Sequence, residues 1–135
     1  MPKPFSVLIV EDNPTDILLI QEALRSAGVE PQAVVFSDGD EAFHYIDRPD
    51  SLVPEVAILD LHLPKRDGSE VLARMRANSR FRRVPAIILS SSPQGVMVDH
   101  AAHADGHITK PGDLDAFLAV GTQVLNIVRA VSLAA

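Results

Sequence analysis

The stretch that decides the fold is residues 56–60, Val-Ala-Ile-Leu-Asp. Its apolar part is too short for a helix and too apolar for a strand with one face in water. Runs of this kind are typical of strands buried on both faces of a parallel sheet. Similar runs occur at Phe5–Val10, Ala33–Phe36 and Ala86–Leu89, with a weaker one at His107–Thr109. We therefore expect a five-stranded parallel sheet.

Helical patterns fill the intervals between these runs. Asn13 and Pro14 suit the cap and the first position of one helix, which Gly28 ends. Asp38 suits the cap of a second helix and Asp67 the cap of a third. Two more helices are predicted, at Val96–His103 and from Asp113 to about Val131. Because strands and helices alternate, we predict an α/β fold of right-handed βαβ units with helices on both faces of the sheet.

The composition narrows the function classes. The chain has 135 residues, the size of one domain, and its lack of cysteine excludes disulfides and thiol chemistry. A formal net charge of -6 argues against a protein that binds a phosphate backbone. No apolar run approaches the ~18 residues of a membrane span, and the N-terminus has no secretory pattern. We therefore expect a single cytoplasmic domain over residues 1–135, with no output domain and with neither nucleic acid nor membrane as a partner.

Polar residues follow four of the predicted strands, at the edge of a parallel sheet where ligands bind. They are Glu11 and Asp12 after the first strand, Asp60 after the third, Ser90 after the fourth and Lys110 after the fifth. Converging carboxylates repel by about 4 kcal/mol per pair at ~4 Å and an effective dielectric of ~20, and Mg²⁺ relieves that repulsion. We therefore predict a magnesium site where a carboxylate attacks phosphorus and the hydroxyl and amine bind phosphoryl oxygens. Each residue alone is an ordinary cap or surface group, so the prediction rests on their joint occurrence.

Four motifs resemble those of one family, the receiver domains of two-component response regulators. They are Val-Glu-Asp-Asn-Pro at 10–14, Leu-Asp-Leu-His-Leu-Pro-Lys-Arg-Asp-Gly at 59–68, Ile-Leu-Ser at 88–90 and Ile-Thr-Lys-Pro at 108–111. Residues 13–24 are further similar to the small single-domain regulators partnered with phytochrome-type histidine kinases. The resemblance implies a doubly wound (βα)5 flavodoxin-like receiver fold with strand order 2-1-3-4-5.

The resemblance also implies a role for each residue at the strand ends. Asp60 is the phosphoacceptor, Ser90 the switch hydroxyl and Lys110 the cation that pairs with the phosphoryl group. Asp12 binds Mg²⁺ directly, and Glu11 acts on the metal through water. The implied function is a phosphoprotein that accepts a phosphoryl group from a sensor histidine kinase and signals through a conformational change and protein contact. It is not an enzyme acting on other substrates, because it catalyses only its own phosphorylation and dephosphorylation.

Further features of the family are carried by the residues around this set. The backbone carbonyl of His62 is implied as another metal ligand, and a cis peptide bond is implied between Lys110 and Pro111. His107 stands where the family usually has Tyr or Phe, so we expect the conformational switch to be sensitive to pH. Ser90 replaces the commoner Thr and keeps the hydroxyl. The interval between Ser90 and Lys110 is shorter than usual, which affects the region of the fourth helix.

Two alternative functions stay open. A small phosphatase of the phosphoaspartate type resembles Asp-x-Asp after the first strand, where this chain reads Glu11-Asp12-Asn13. A shuttle in a multistep phosphorelay has the same receiver motifs but passes its phosphoryl group onward. Turnover of phosphate esters separates the phosphatase from a receiver.

The segment from Asp113 to Ala135 carries more apolar residues than one helix face needs, since a stripe about 100° wide suffices to cover a sheet. One stripe consists of Leu114, Phe117, Leu118, Leu125 and Val128. A second stripe consists of Val120, Val124, Ile127 and Val131. Because both cannot pack on the sheet, we expect one to stay exposed and to form a homodimer through the last helix and the fifth strand.

Overall fold

A sheet of five parallel strands lies at the centre of the computed structural model, which describes residues 1–91 and 103–134. The strands are β1 (Lys3–Val10), β2 (Val29–Phe36), β3 (Val56–Leu59), β4 (Ala86–Ser90) and β5 (Gly106–Thr109). Their order is β2-β1-β3-β4-β5, with each neighbouring pair parallel. Every residue of β3 and β4 is buried, as in strands with helices on both faces. The predicted α/β fold and strand order are confirmed.

In the described ranges, three helices connect strands and two follow the last strand. They are α1 (Pro14–Ser26), α2 (Gly39–Asp47), α3 (Gly68–Ala77), α4 (Leu114–Leu118) and α5 (Val120–Ala134). The predicted caps of the first three each accept hydrogen bonds from the first turn of the helix they precede; these caps are Asn13, Asp38 and Asp67. The helix predicted at Val96–His103 lies outside the described residues, apart from its last position.

Alternate residues of the central strands point to opposite faces of the sheet, and each face has its own apolar core. Leu8 and Val10 of β1 belong to the core that α2 and α3 cover. Val7 and Ile9 belong to the core that α1, α4 and α5 cover. Both faces of the sheet are therefore closed by apolar packing, and polar side chains converge instead at the carboxyl ends of the strands.

The last predicted helix is two helices, α4 and α5, which are separated at Ala119. Residues from both of its apolar stripes are buried, namely Phe117, Leu125, Val120 and Val124. The expectation that one whole stripe stays exposed is therefore wrong. The reason is that α5 packs against α1 as well as against the sheet, so it buries a wider face than a helix with one neighbour. Gly121 permits the close approach, because a Cβ there would overlap the main chain of Ala23.

One segment, Leu114–Ala134, is long and apolar enough by length and composition to cross a membrane, with a mean hydropathy of 1.5. The sequence prediction found no such run. The segment is interrupted at Ala119, and side chains of both its helices belong to the core beside α1. Because core helices of soluble proteins have the same length and composition, this feature is weak support for a membrane span.

Candidate functional site

Three carboxylates converge where β1 and β3 end. Residues Val10 and Leu59 are partners in the parallel register, and the N–H of Asp60 donates to the carbonyl oxygen of Val10 at 2.9 Å. Glu11 and Asp60, which follow these two strands, are therefore neighbours. Ligand oxygens of Glu11, Asp12 and Asp60 all lie within 4.8 Å of one another. Hard oxygen donors at this spacing fit a divalent cation such as Mg²⁺, so the predicted convergence of the carboxylates is confirmed.

The three carboxylates differ in their access to water. Glu11 and Asp60 are almost fully buried, with 2% and 7% of their surfaces exposed, whereas Asp12 is exposed. Two carboxylates that are buried side by side repel each other when both are charged. Asp12 would therefore be the carboxylate of the three that is most accessible to a divalent cation from solvent.

Lys110 places its ammonium group among these carboxylates. It follows β5, and its main-chain N–H donates to the carbonyl oxygen of Ser90 at 2.9 Å. Its Nζ donates to Glu11 Oε1 at 2.6 Å and lies 3.7 Å from Asp60 Oδ2. The side chain is only 13% exposed. The cation predicted at the end of the fifth strand is therefore found in the carboxylate crevice.

A fourth carboxylate, Asp16, also belongs to the site, and the sequence prediction missed it. Nζ of Lys110 donates to Asp16 Oδ2 at 2.8 Å. Asp16 lies in the first turn of α1, which begins soon after the carboxyl end of β1. This position could have been predicted from the sequence. Helix α1 starts at the edge of the site, so an acidic side chain in its first turn lies near the same crevice as the strand ends.

Burial and hydrogen bonding act in opposite directions on Glu11. The pKa of this carboxyl group is raised to about 7, and burial is the largest cause. The hydrogen bond from Lys110 lowers the pKa, as does the N–H of Asn13, which donates to Glu11 Oε2 at 3.1 Å. The negative charge of Asp60 also contributes to the raised pKa. Glu11 is therefore poised between its neutral and charged forms near neutral pH.

The charge of Lys110 is stabilised by its carboxylate partners. Burial disfavours the ammonium form and lowers the pKa of Lys110, but the hydrogen bonds to Asp16 and Glu11 raise the pKa by more. The pKa of Lys110 thus lies above its ordinary value. The crevice contains a permanent cation at neutral pH, which attracts the oxygens of a phosphoryl group.

The predicted switch residues lie on β4 and β5. Ser90 is fully buried as the last residue of β4, the strand next to β3. His107 pairs with Ile88 in the register of β4 and β5. Its Nε2 is buried and has no hydrogen-bond partner among the described residues, and burial lowers the pKa of His107. His62 has an exposed side chain two residues beyond Asp60, and the role of its backbone carbonyl stays a prediction.

The peptide bond between Lys110 and Pro111 is trans, since the described residues contain no cis peptide bond. The cis bond that the resemblance implied is therefore not found. The two isomers of a bond before proline differ by only about 0.5–1 kcal/mol, so the residue pair alone does not determine the isomer. The side chain of Lys110 reaches the carboxylate crevice although the peptide bond that follows Lys110 is trans.

Gly68 lets the first turn of α3 pack directly on the main chain of the predicted phosphoacceptor. Its N–H donates to the carbonyl oxygen of Leu61 at 3.0 Å. A Cβ at position 68 would overlap the carbonyl oxygen of Asp60. The preceding residue, Asp67, caps α3 by accepting from the N–H of Glu70. Asp67 and Gly68 therefore have a structural role, because they hold the start of α3 against the loop that follows β3.

Comparison with known proteins identifies one family that matches most of this chain. Residues 7–120 match the family described as "Response regulator receiver domain". The chain is also similar to response regulator Rcp1 of Synechocystis sp., with 32% identity over 117 residues. That similarity covers 82% of this chain and 80% of Rcp1.

Two solved structures are similar to this fold. The phosphorylated cyanobacterial phytochrome response regulator RcpA has 34% identity and a TM-score of 0.79, covering 89% of this chain and 90% of RcpA. The receiver domain of sensor histidine kinase PA1611 from Pseudomonas aeruginosa, which has magnesium coordinated in its active site cleft, has 25% identity and a TM-score of 0.72. The comparison covers 91% of this chain and 98% of that domain. Because the family match spans most of the chain and the carboxylate cluster fits a divalent cation, this chain belongs to the response regulator receiver domain family.

Proposed function

We propose that this protein accepts a phosphoryl group from the phosphohistidine of a sensor histidine kinase onto the carboxylate of Asp60. The P–N bond to the kinase imidazole breaks, an O–P bond to Asp60 forms, and the imidazole leaves as the neutral base after it takes up a proton. The observation that supports the proposal most strongly is the placement of Asp60, a buried carboxylate between two other carboxylates and an ammonium group.

Receiver domains bind Mg²⁺ at an acidic pocket, and here Glu11, Asp12 and Asp60 are the side chains that would hold it. When bound, Mg²⁺ neutralises charge on the carboxylates and on the transferring phosphoryl group. The buried crevice strengthens the interaction of Lys110 with phosphoryl oxygens, because water does not screen it there. Ser90 supplies a hydroxyl to the same group at the end of β4.

We assign the kinase partner to the phytochrome type and the protein to the cytoplasm. The partner assignment is supported by similarity to RcpA, a cyanobacterial phytochrome response regulator. Residues 7–120 match the receiver family, and the output proposed for this domain is a protein contact. The sequence has 12 basic and 18 acidic residues and a net charge of -6, which disfavours nucleic acid as a partner.

A homodimer through the last helix and β5 stays part of the proposal. Since Phe117, Val120, Val124 and Leu125 are buried, the support now comes from Leu114 and Leu133, which are 58% and 87% exposed. β5 also lies at an edge of the sheet. Light scattering of wild type and of Leu114→Glu/Leu133→Glu tests this interface. A dimeric wild type and a monomeric variant are expected, and a monomeric wild type would refute it.

The experiment that tests the proposed function is a screen for phosphotransfer. Sensor histidine kinases of the source organism are allowed to autophosphorylate with ATP that is labelled in its γ-phosphate. Each labelled kinase is then mixed with the protein in the presence of Mg²⁺. A cognate kinase loses its label within seconds to wild type and keeps it with Asp60→Asn. Steady turnover of phosphate esters by wild type would favour the phosphatase instead. Rapid passage of the label from this protein to a histidine phosphotransfer protein would favour the phosphorelay shuttle.

A further inference from the structure

We propose that Asp16 is a positioning residue that holds the ammonium group of Lys110 in the orientation needed to receive the phosphoryl group. This inference rests on the proposed function, and it assigns Asp16 a part in that same site. Its basis is the contact between the two side chains, in which Nζ of Lys110 lies 2.8 Å from Asp16 Oδ2. Asp16 is 19% exposed and Lys110 is 13% exposed, so the pair is largely shielded from water.

The number of donors on Lys110 limits what the ammonium group can bind. An ammonium group has three N–H donors. Glu11 and Asp16 accept two of them, at 2.6 Å and 2.8 Å. Among residues 1–91 and 103–134 no third acceptor bonds to Nζ, and Asp60 Oδ2 lies beyond hydrogen-bond distance at 3.7 Å. A phosphoryl group on Asp60 extends past the carboxylate oxygens, so it brings acceptors within reach of the remaining N–H without displacing Asp16.

Asp16 is better placed than Glu11 to hold Lys110 throughout the reaction. Glu11 belongs to the cluster of oxygens that fits the metal, so its carboxylate is shared once a divalent cation binds. Asp16 is not a member of that cluster in the part of the chain that the structure describes. The N–H of Asp16 donates to Asn13 Oδ1 at 3.3 Å, which fixes the turn that carries it. Asp16 therefore remains available to Lys110 when Glu11 turns to the metal.

A purely structural role for Asp16 makes a different prediction. An acidic residue in the first turn of a helix stabilises that helix through its dipole, whatever lies opposite. Such a role changes thermal stability but does not require Lys110. The two roles are therefore separated by asking whether the effect of removing Asp16 disappears when Lys110 is already absent.

The first measurement is a double-mutant cycle on the rate of phosphorylation by acetyl phosphate in Mg²⁺. Asp16→Ala should slow phosphorylation about tenfold, the size expected for loss of a hydrogen bond to a charged group. Asp16→Ala should have no further effect in the Lys110→Ala background. Asp115→Ala is the matched control, because Asp115 is also in the first turn of a helix but is exposed. It should leave the rate unchanged.

The second measurement observes the ammonium group itself and does not depend on phosphorylation. The chain has three lysines, and the side chains of Lys3 and Lys65 are exposed, so the protected ammonium signal in a ¹H–¹⁵N spectrum belongs to Lys110. Lys110→Ala confirms the assignment. The signal should persist in wild type with Mg²⁺ and be lost by exchange with water in Asp16→Ala.

The outcomes distinguish the positioning role from the proposed function. A retained ammonium signal in Asp16→Ala, a faster rate in that variant, or the same slowing in both backgrounds overturns the positioning role while the receiver function stands. If wild type is not phosphorylated by kinase or acetyl phosphate, the receiver function fails and the role assigned to Asp16 in phosphoryl binding fails with it, even if the Asp16–Lys110 pair is seen in the spectrum.

Discussion

The main-chain N–H of Lys110 donates to the carbonyl oxygen of Ser90 at 2.9 Å, which ties the loop after β5 to the end of β4. Both residues are predicted to bind the phosphoryl group through their side chains. Because their main chains are also joined, a shift of Lys110 toward the phosphoryl group moves the ends of two neighbouring strands. β5 carries His107, so this bond gives a direct route from the phosphorylation site to the predicted switch.

Replacement of Lys110 should separate phosphorylation from switching. Lys110→Ala should still be phosphorylated, because Asp60 and the metal-binding carboxylates remain. The phosphoryl group then lacks the cation that draws in the end of β5, so the conformational change should be lost. NMR signals from residues of β5, recorded before and after phosphorylation, measure the change. Shifts of wild-type size in Lys110→Ala would show that another group couples the two events.

Addition of Mg²⁺ should stabilise the fold. The metal binds the folded state, in which the three carboxylates converge, and stabilises it by about 1.4 kcal/mol at ten times its dissociation constant. Thermal melts with and without Mg²⁺ measure the effect, and Asp12→Asn should respond much less than wild type. Identical melting temperatures for wild type in Mg²⁺ and in chelator would contradict the assignment of the carboxylates to a metal site.

The buried imidazole of His107 should make stability depend on pH. Burial lowers the pKa of His107 below its ordinary value of 6.5, so the unfolded chain binds a proton more readily than the folded one. The stability contribution is full above pH 6.5 and is lost as the pH falls below that value. Urea melts from pH 8 to pH 5, compared between wild type and His107→Phe, isolate this contribution. If the free energy of unfolding depends on pH in the same way in both proteins, His107 is not the source of the pH dependence.

Substitution of Gly68 by alanine should destabilise the protein by about 1–3 kcal/mol, the cost of forcing atoms into a packed region. The added Cβ would overlap the carbonyl oxygen of Asp60, whose main chain has little room to move. Gly112→Ala is the matched control, because a Cβ at that position meets no atom within 4 Å. Urea denaturation of both variants measures the difference. Equal stabilities of Gly68→Ala and Gly112→Ala would mean that the loop after β3 moves enough to accommodate the added Cβ.

The strand ends that carry the site were predictable because each follows an apolar run too short for a helix. The start of β1 at Lys3 and of β2 at Val29 was not predicted, since the first residues of both strands include polar and exposed ones. Those residues join the sheet through main-chain pairing, such as Lys3 with Val29, which an apolar pattern does not reveal.

The sequence did not predict the contacts between elements that are far apart in the chain. The ion pair between Asp16 and Lys110 joins α1 to the end of β5, and no local pattern links two positions so far apart in the chain. Burial of α5 against α1 has the same origin, because it depends on where Gly121 meets the main chain of Ala23. The isomer of the Lys110–Pro111 bond also depends on tertiary context, and the resemblance gave it wrongly.

The most direct test of the central claim is to locate the phosphoryl group on Asp60. Wild type is phosphorylated in Mg²⁺, reduced with borohydride, which converts phosphoaspartate to homoserine, and then digested and analysed by mass spectrometry. We predict homoserine at position 60 alone, an adduct that is labile to both acid and base before reduction, and no adduct in Asp60→Asn. Phosphorylation of Asp60→Asn to the wild-type level, or homoserine at position 12 in the wild type, would contradict the assignment.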